Sequence, residues 1–111
     1  MESIIKNVYD ALGPGYSESV YQNAMEVAMR HNGIPYDRPY IHVKYMGHIV
    51  GQMYTDMVAQ DTVLEFKAVK KLTDEHRQQI KIYMKELKIC KGYLINFGEN
   101  AVVLETFTLQ F

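Results

Sequence analysis

Only one cysteine, Cys90, occurs among the 111 residues, so no internal disulfide can form. No cysteine or histidine near it in the sequence suggests a zinc site, and a core thiol at a helix end is the expectation. Long apolar runs are also missing, which excludes a membrane-spanning helix. The amino terminus MESIIKNVYD lacks the basic-then-apolar order of a signal peptide, and an intracellular location, cytoplasmic or nucleic-acid associated, is expected. Repeats, low-complexity tracts and linkers are absent, and the longest turn-rich interruption is HNGIPYDRP at 31–39. What is present, 48% hydrophobic and 23% charged residues, is the balance of a folded chain and not of a disordered one. At this length residues 1–111 are expected to form a single domain that needs no disulfide or zinc to hold its core.

The net charge of −1 conceals a segregation along the chain. Residues 1–66 hold four Lys or Arg against eight Asp or Glu, whereas residues 67–91 hold eight against three. A near-neutral total argues against a protein that lives by nonspecific duplex binding, so any nucleic-acid contact is expected to be local.

Ile4, Ile5, Val8, Tyr9 and Leu12 recur at helical spacing until the GPG at 13–15, and Ser17 is placed to cap a second helix running to about Asn32. From Tyr40 the pattern is extended: YIHVKYM, a turn at Gly47-His48, IVGQMYTDMV, a turn near AQDT, then the strand in TVLEFKAVKK. Thr73, Asp74 and Glu75 open a third helix with Ile80, Tyr83, Met84 and Leu87 as its apolar stripe, and Gly92 is expected to end it. GYLINF and AVVLETFTL supply two further strands around a GEN turn. The element order is ααβββαββ, an α/β (α+β) fold with helices packed on a mixed sheet.

Alternation along TVLEFKAVKK puts Val63, Glu65, Lys67 and Val69 on one face and Leu64, Phe66 and Ala68 on the other. A carboxylate and an ammonium in so apolar a strand need a partner, because burying unpaired charge is costly. Asp56, on the preceding strand, can lie beside Glu65 across the turn. Two close carboxylates repel, and a divalent cation with oxygen ligands, Mg²⁺ or Mn²⁺, keeps both ionised. Lys67 could then orient or help deprotonate a metal-activated water, which suits phosphodiester hydrolysis. The spacing D-x8-E-x-K alone leaves a salt-bridged structural role equally open.

GYSESVY at 15–21 matches G-x-x-E-x-x-Y, and VKYMGHIVG, YTDMVAQDTVLEFKAV, HRQQIKIYM and GYLINFG follow in order. In these blocks the chain resembles the GxxExxY family of the PD-(D/E)XK nuclease superfamily over nearly its whole length. The resemblance implies a restriction-endonuclease-like core, αβββαβ, and a Mg²⁺-dependent or Mn²⁺-dependent deoxyribonuclease. It makes Glu18 the acidic residue of the first core helix, Asp56 and Glu65 the metal carboxylates and Lys67 the superfamily lysine. Gln79 and Tyr83 match the Q-x-x-x-Y of exonuclease-like branches. The proline that often precedes the first aspartate is replaced by Thr55.

The expected ligands are therefore Asp56, Glu65 and the main-chain carbonyl of Phe66, with Glu18 a further candidate, and Tyr21 and Tyr83 in support. Each has a plainer reading: Glu18 favours a helix N-terminus by charge alone, Gln79 could face solvent, and both tyrosines can simply pack. Arg77, Lys81, Lys85 and Lys88 fall about 165° around the helix from Gln79 and are expected on a solvated face. His31, His42, His48 and His76 show no zinc spacing. The rival to a DNA nuclease is a catalytically weak nuclease-fold module that binds nucleic acid or assembles as a homo-oligomer, since fold alone does not fix function.

Overall fold

Ile4, Ile5 and Val8 form the buried stripe of α1 (Glu2–Leu12), which ends where Gly13, at φ 69, donates its N–H to the Tyr9 carbonyl at 2.7 Å. The computed structural model describes all of residues 1–111. Helix α2 (Glu18–His31) starts from Ser17 in extended conformation and buries Tyr21, Met25 and Met29. Ser17 holds the capping position by its backbone only, because its hydroxyl pairs with that of Ser19 at 3.0 Å.

Strands β1 (Tyr40–Tyr45) and β2 (His48–Tyr54) form an antiparallel ribbon with an irregularity between Val43 and Lys44. Its turn is Met46-Gly47, both at positive φ, one residue earlier than expected, so that His48 belongs to β2. Strands β3 (Met57–Ala59) and β4 (Thr62–Lys67) pair antiparallel around Gln60-Asp61, also both at positive φ. Helix α3 (Asp74–Leu87) then crosses to β5 (Lys91–Asn96), which runs parallel to β4 and antiparallel to β6 (Val103–Thr108). The result is a mixed four-stranded sheet in the order β3-β4-β5-β6 beside the two-stranded ribbon. This is the α+β order read from the sequence, with the expected second extended run divided into β2 and β3.

Thr73 and His76 form a reciprocal capping box: the Thr73 hydroxyl accepts from the His76 N–H, and the imidazole Nδ1 accepts from the Thr73 N–H at 3.0 Å. That contact gives His76 a structural occupation. The helix ends at Lys88 in left-handed conformation, earlier than Gly92. Gly92 lies inside β5, where a Cβ would stand 2.5 Å from the Met84 sulfur, so glycine is what lets α3 approach the sheet. Cys90, between them, is exposed rather than a core thiol.

The sheet divides two apolar clusters. Leu64, Phe66, Ile95 and Phe97 pack against α1 and α2, and Val63 and Leu94 pack against Ile80, Tyr83 and Met84 of α3. Each fully buried apolar side chain of this size contributes roughly 1.5–3 kcal/mol. The alternation of β4 is thus a division of labour between two cores. Ile41 joins the α3 cluster and fastens the inner face of the ribbon there. No helix is long and apolar enough to cross a membrane.

The basic side of α3 is less solvated than its helical wheel suggests. Arg77 grips Glu105 of β6 through Nε at 2.7 Å and Nη2 at 3.0 Å, and Asp74 at 2.8 Å. The Lys81 ammonium lies 5.5 Å from the centre of the Phe107 ring. The Arg77 hydrogen bonds are the main reason that the Glu105 carboxyl titrates below its ordinary range. Lys85 and Lys88 remain exposed.

Candidate active site

Continuing the β3–β4 register from Met57↔Leu64 would set Asp56 opposite Glu65, but the ladder stops there. The reason lies in the side chains. Glu65 Oε1 accepts the Asp56 N–H at 2.8 Å, and Asp56 Oδ2 accepts the Phe66 N–H at 2.8 Å. Two carboxylates have taken backbone donors that strand pairing would otherwise satisfy. The Thr55 hydroxyl, fully buried, donates to the same Glu65 Oε1 at 2.8 Å. A proline at position 55 could not make that bond.

Glu65 is only 3% exposed and its pKa is pushed up to about 8. Burial is the largest cause and the neighbouring Asp56 charge the second, while the Asp56 N–H, the Thr55 hydroxyl and Lys67 act in the opposite direction. Two residues along the same face of β4, the Lys67 ammonium donates to Gln79 Oε1 of α3 at 3.1 Å. Tyr83, one turn further along α3, is buried, and its phenol is raised to about 12 by burial first and then by the charges of Glu65 and Asp56. Lys67 and Tyr83 therefore lie near enough to the carboxylate pair to feel its charge, with Gln79 held against Lys67 on the α3 side.

On the α2 side opens a cleft of about 340 Å³ lined by Glu18, Gln22, Glu26, Arg38, Asp56 and Phe66. Glu18 is exposed in the first turn of α2 and meets Asp56 only across this cleft. Gln22 Nε2 donates to the Asp56 carbonyl and to Glu26 Oε2, both at 2.8 Å, and so ties α2 to the β2–β3 break. Tyr21 points the other way. Its hydroxyl donates to the Gly13 carbonyl and its ring stacks on Phe97 at 4.5 Å, which anchors the α1–α2 turn beneath Glu18.

The sequence reading missed Gln22, Glu26, Arg38 and the role of Thr55. Gln22 and Glu26 follow Glu18 at intervals of four along one helix face, a signal that was available. Arg38 reaches the cleft from an irregular segment, which no periodicity announces.

The donor set fits a hard divalent cation. All its atoms are oxygen, the Asp56 charge is near enough to raise Glu65, and Glu65 Oε1 carries both hydrogen bonds, leaving Oε2 for another partner. No side-chain polar atom is buried without a hydrogen bond, so that partner is not owed to the protein interior. No three His, Cys, Asp or Glu side chains are placed together to hold a metal ion, so Glu18 does not join the carboxylate pair as it stands. Two carboxylates with open positions suit Mg²⁺, which retains water and takes substrate oxygens.

A family model described as the PD-(D/E)XK nuclease superfamily matches residues 1–107. No curated protein and no solved structure gives a significant match. With a matched region that runs from α1 through nearly all of β6, and with a helix-flanked mixed sheet bearing paired carboxylates at a strand break, the chain belongs to the PD-(D/E)XK nuclease superfamily.

Proposed function

We propose that residues 1–111 act as one nuclease domain of the GxxExxY type that hydrolyses DNA phosphodiester bonds with Mg²⁺ or Mn²⁺. The observation that carries this reading is the reciprocal bonding of Asp56 and Glu65 at the end of the β3–β4 ladder, with Lys67 beside them. The G-x-x-E-x-x-Y residues also have separate physical tasks: Gly15 is at φ 113, Glu18 lines the cleft and Tyr21 anchors the turn.

Asp56, Glu65 and the Phe66 carbonyl would hold the cation, with Glu18 as a further ligand across the cleft. When bound, the ion lowers the pKa of a water molecule and offsets charge on the scissile phosphate. Lys67, steadied by Gln79, orients the attacking water and stabilises the negative charge that grows on the phosphate oxygens. Arg38 at the cleft wall offers a second cation to the phosphate backbone. Thr55 and the Asp56 N–H keep Glu65 from turning away. Gln79 and Tyr83 support an exonuclease-like assignment.

The test is cleavage of linear, circular, single-stranded and duplex DNA by the purified protein with Mg²⁺ or Mn²⁺, beside the Asp56→Asn variant. Metal-dependent cleavage lost in the variant is the expected result. Absence of cleavage on every substrate favours the second reading, a binding or assembly module. That reading draws on the exposed apolar residues at the ribbon tip, Tyr45, Met46, Ile49 and Val50, which could join a homo-oligomer. Sizing with and without substitutions there separates the two.

A further inference from the structure

The ribbon formed by β1 and β2 has two unlike faces. Ile41 and Met53 point inward to the α3 cluster, whereas Tyr40, His42, Lys44, Gln52 and Tyr54 are exposed. The outward residues are organised. Tyr40 and Tyr54 are directly opposed in register, their rings perpendicular at 4.4 Å, and the Tyr40 hydroxyl donates to Gln52 Oε1. His42 meets the Tyr40 ring edge-on at 5.0 Å, and the Arg38 guanidinium lies 5.0 Å from the Tyr54 ring centre. Cross-strand tyrosines can serve only to stabilise a ribbon. Here the inner face already supplies the packing, and the outer rings remain 44% and 49% exposed.

Charge distinguishes this face further. Residues 38–55 contain Arg38 and Lys44, two histidines and three tyrosines, but no Asp or Glu, within a half of the chain that is otherwise acidic. The face is also continuous with the cleft: Arg38 lines it beside Asp56, and Tyr54 immediately precedes Thr55 and Asp56. Aromatic rings and guanidinium planes accept nucleobases only when those bases are unstacked, and neighbouring cations follow the phosphates. Rings already fixed by one another lose little freedom on binding.

We propose that the outer face of the β1–β2 ribbon is a stacking platform for single-stranded DNA, on which Tyr40 and Tyr54 receive bases and Arg38 and Lys44 phosphates. It leads the strand to the cleft that Asp56 lines. That last point alone rests on the nuclease reading.

The test measures binding of a fluorescein-labelled dT20 oligonucleotide and a duplex of equal length by anisotropy in EDTA, where no cleavage interferes. Single-stranded DNA is expected to bind more tightly than the duplex. Tyr40→Ala with Tyr54→Ala should weaken it by about tenfold or more, and Tyr40→Phe with Tyr54→Phe should retain it, because stacking needs the ring and not the hydroxyl. Should the alanine pair unfold the ribbon, Arg38→Gln with Lys44→Gln leaves both rings in place and should flatten the log–log salt slope by about 1.4. Tighter duplex binding, an alanine pair that folds and binds like wild type, or an unchanged salt slope overturns the platform. A protein that binds dT20 through these rings yet never cuts sustains the platform and refutes the nuclease reading. Metal-dependent cleavage together with binding indifferent to both pairs does the reverse.

Discussion

The Thr55 hydroxyl and the Asp56 N–H converge on one atom, Glu65 Oε1, each at 2.8 Å, while Asp56 returns a bond from its own carboxylate to the Phe66 N–H. Strand pairing is exchanged at this point for a rigid carboxylate pair. The same bonds that interrupt the sheet hold two acids in a geometry that solvent alone would not preserve.

Thr55→Val keeps the shape and removes one donor, so Glu65 keeps a single hydrogen bond. The expected loss of stability is about 1–3 kcal/mol, with Thr55→Ser largely restoring it. Cation affinity should fall by roughly tenfold to a hundredfold, as for other outer-shell partners of a ligand. Thermal melting and calorimetric Mn²⁺ titration check the two effects separately.

Asp56→Asn and Glu65→Gln should each abolish cleavage and sharply weaken Mn²⁺ binding. Neither should cost the apo protein much stability at neutral pH, because burial and the Asp56 charge already hold Glu65 protonated there, and each amide keeps an oxygen that can accept the same backbone N–H. Variants that cut as well as wild type would place the chemistry elsewhere.

The raised Glu65 pKa has a definite sign in stability. Between its ordinary value of 4.5 and about 8 the folded protein retains a proton that the unfolded chain has released. The resulting stabilisation is complete below pH 4.5 and disappears as pH rises through about 8. Metal-free protein should therefore become less stable over that window, by an amount on the order of a few kcal/mol. Chemical denaturation in EDTA at pH 5, 7 and 9 should show the decline, Glu65→Gln should flatten it, and excess Mg²⁺ should offset it at the alkaline end.

Much of this architecture was legible from periodicity. The β4 alternation sorted its residues into the two faces that the structure packs into separate cores, and the apolar stripe of α3 foretold its packing. The break between β2 and β3 was not legible. Thr55 and Asp56 lie in a run that reads as continuous strand, and what interrupts it is a side chain nine residues away, a tertiary competitor that local pattern does not encode. Arg77 was misjudged for a related reason. Its place on the helical wheel was correct, but Glu105 reaches it from the end of the chain and turns a solvated position into an ion pair. Lys67 could be named from the alternation of its strand and Gln79 only through resemblance, and their hydrogen bond adds a physical link between them.

That bond leads to a test of how the two residues divide their work. Lys67→Ala should reduce single-turnover cleavage by orders of magnitude while leaving Mn²⁺ affinity nearly unchanged, because an ammonium ligates no metal. Gln79→Ala should cost less, roughly tenfold, since its carbonyl oxygen steadies Lys67 and the lysine can still reach the site without it. If Gln79 acts through Lys67, the double variant is no worse than Lys67→Ala alone, the non-additivity expected of residues that work as a unit. Multiplying effects in the cycle would instead mean that Gln79 touches DNA independently. Gln79→Glu sharpens the distinction: a carboxylate would hold the ammonium more strongly yet repel phosphate, so a rate near wild type supports steadying of Lys67, and a rate below that of Gln79→Ala supports direct contact with the substrate.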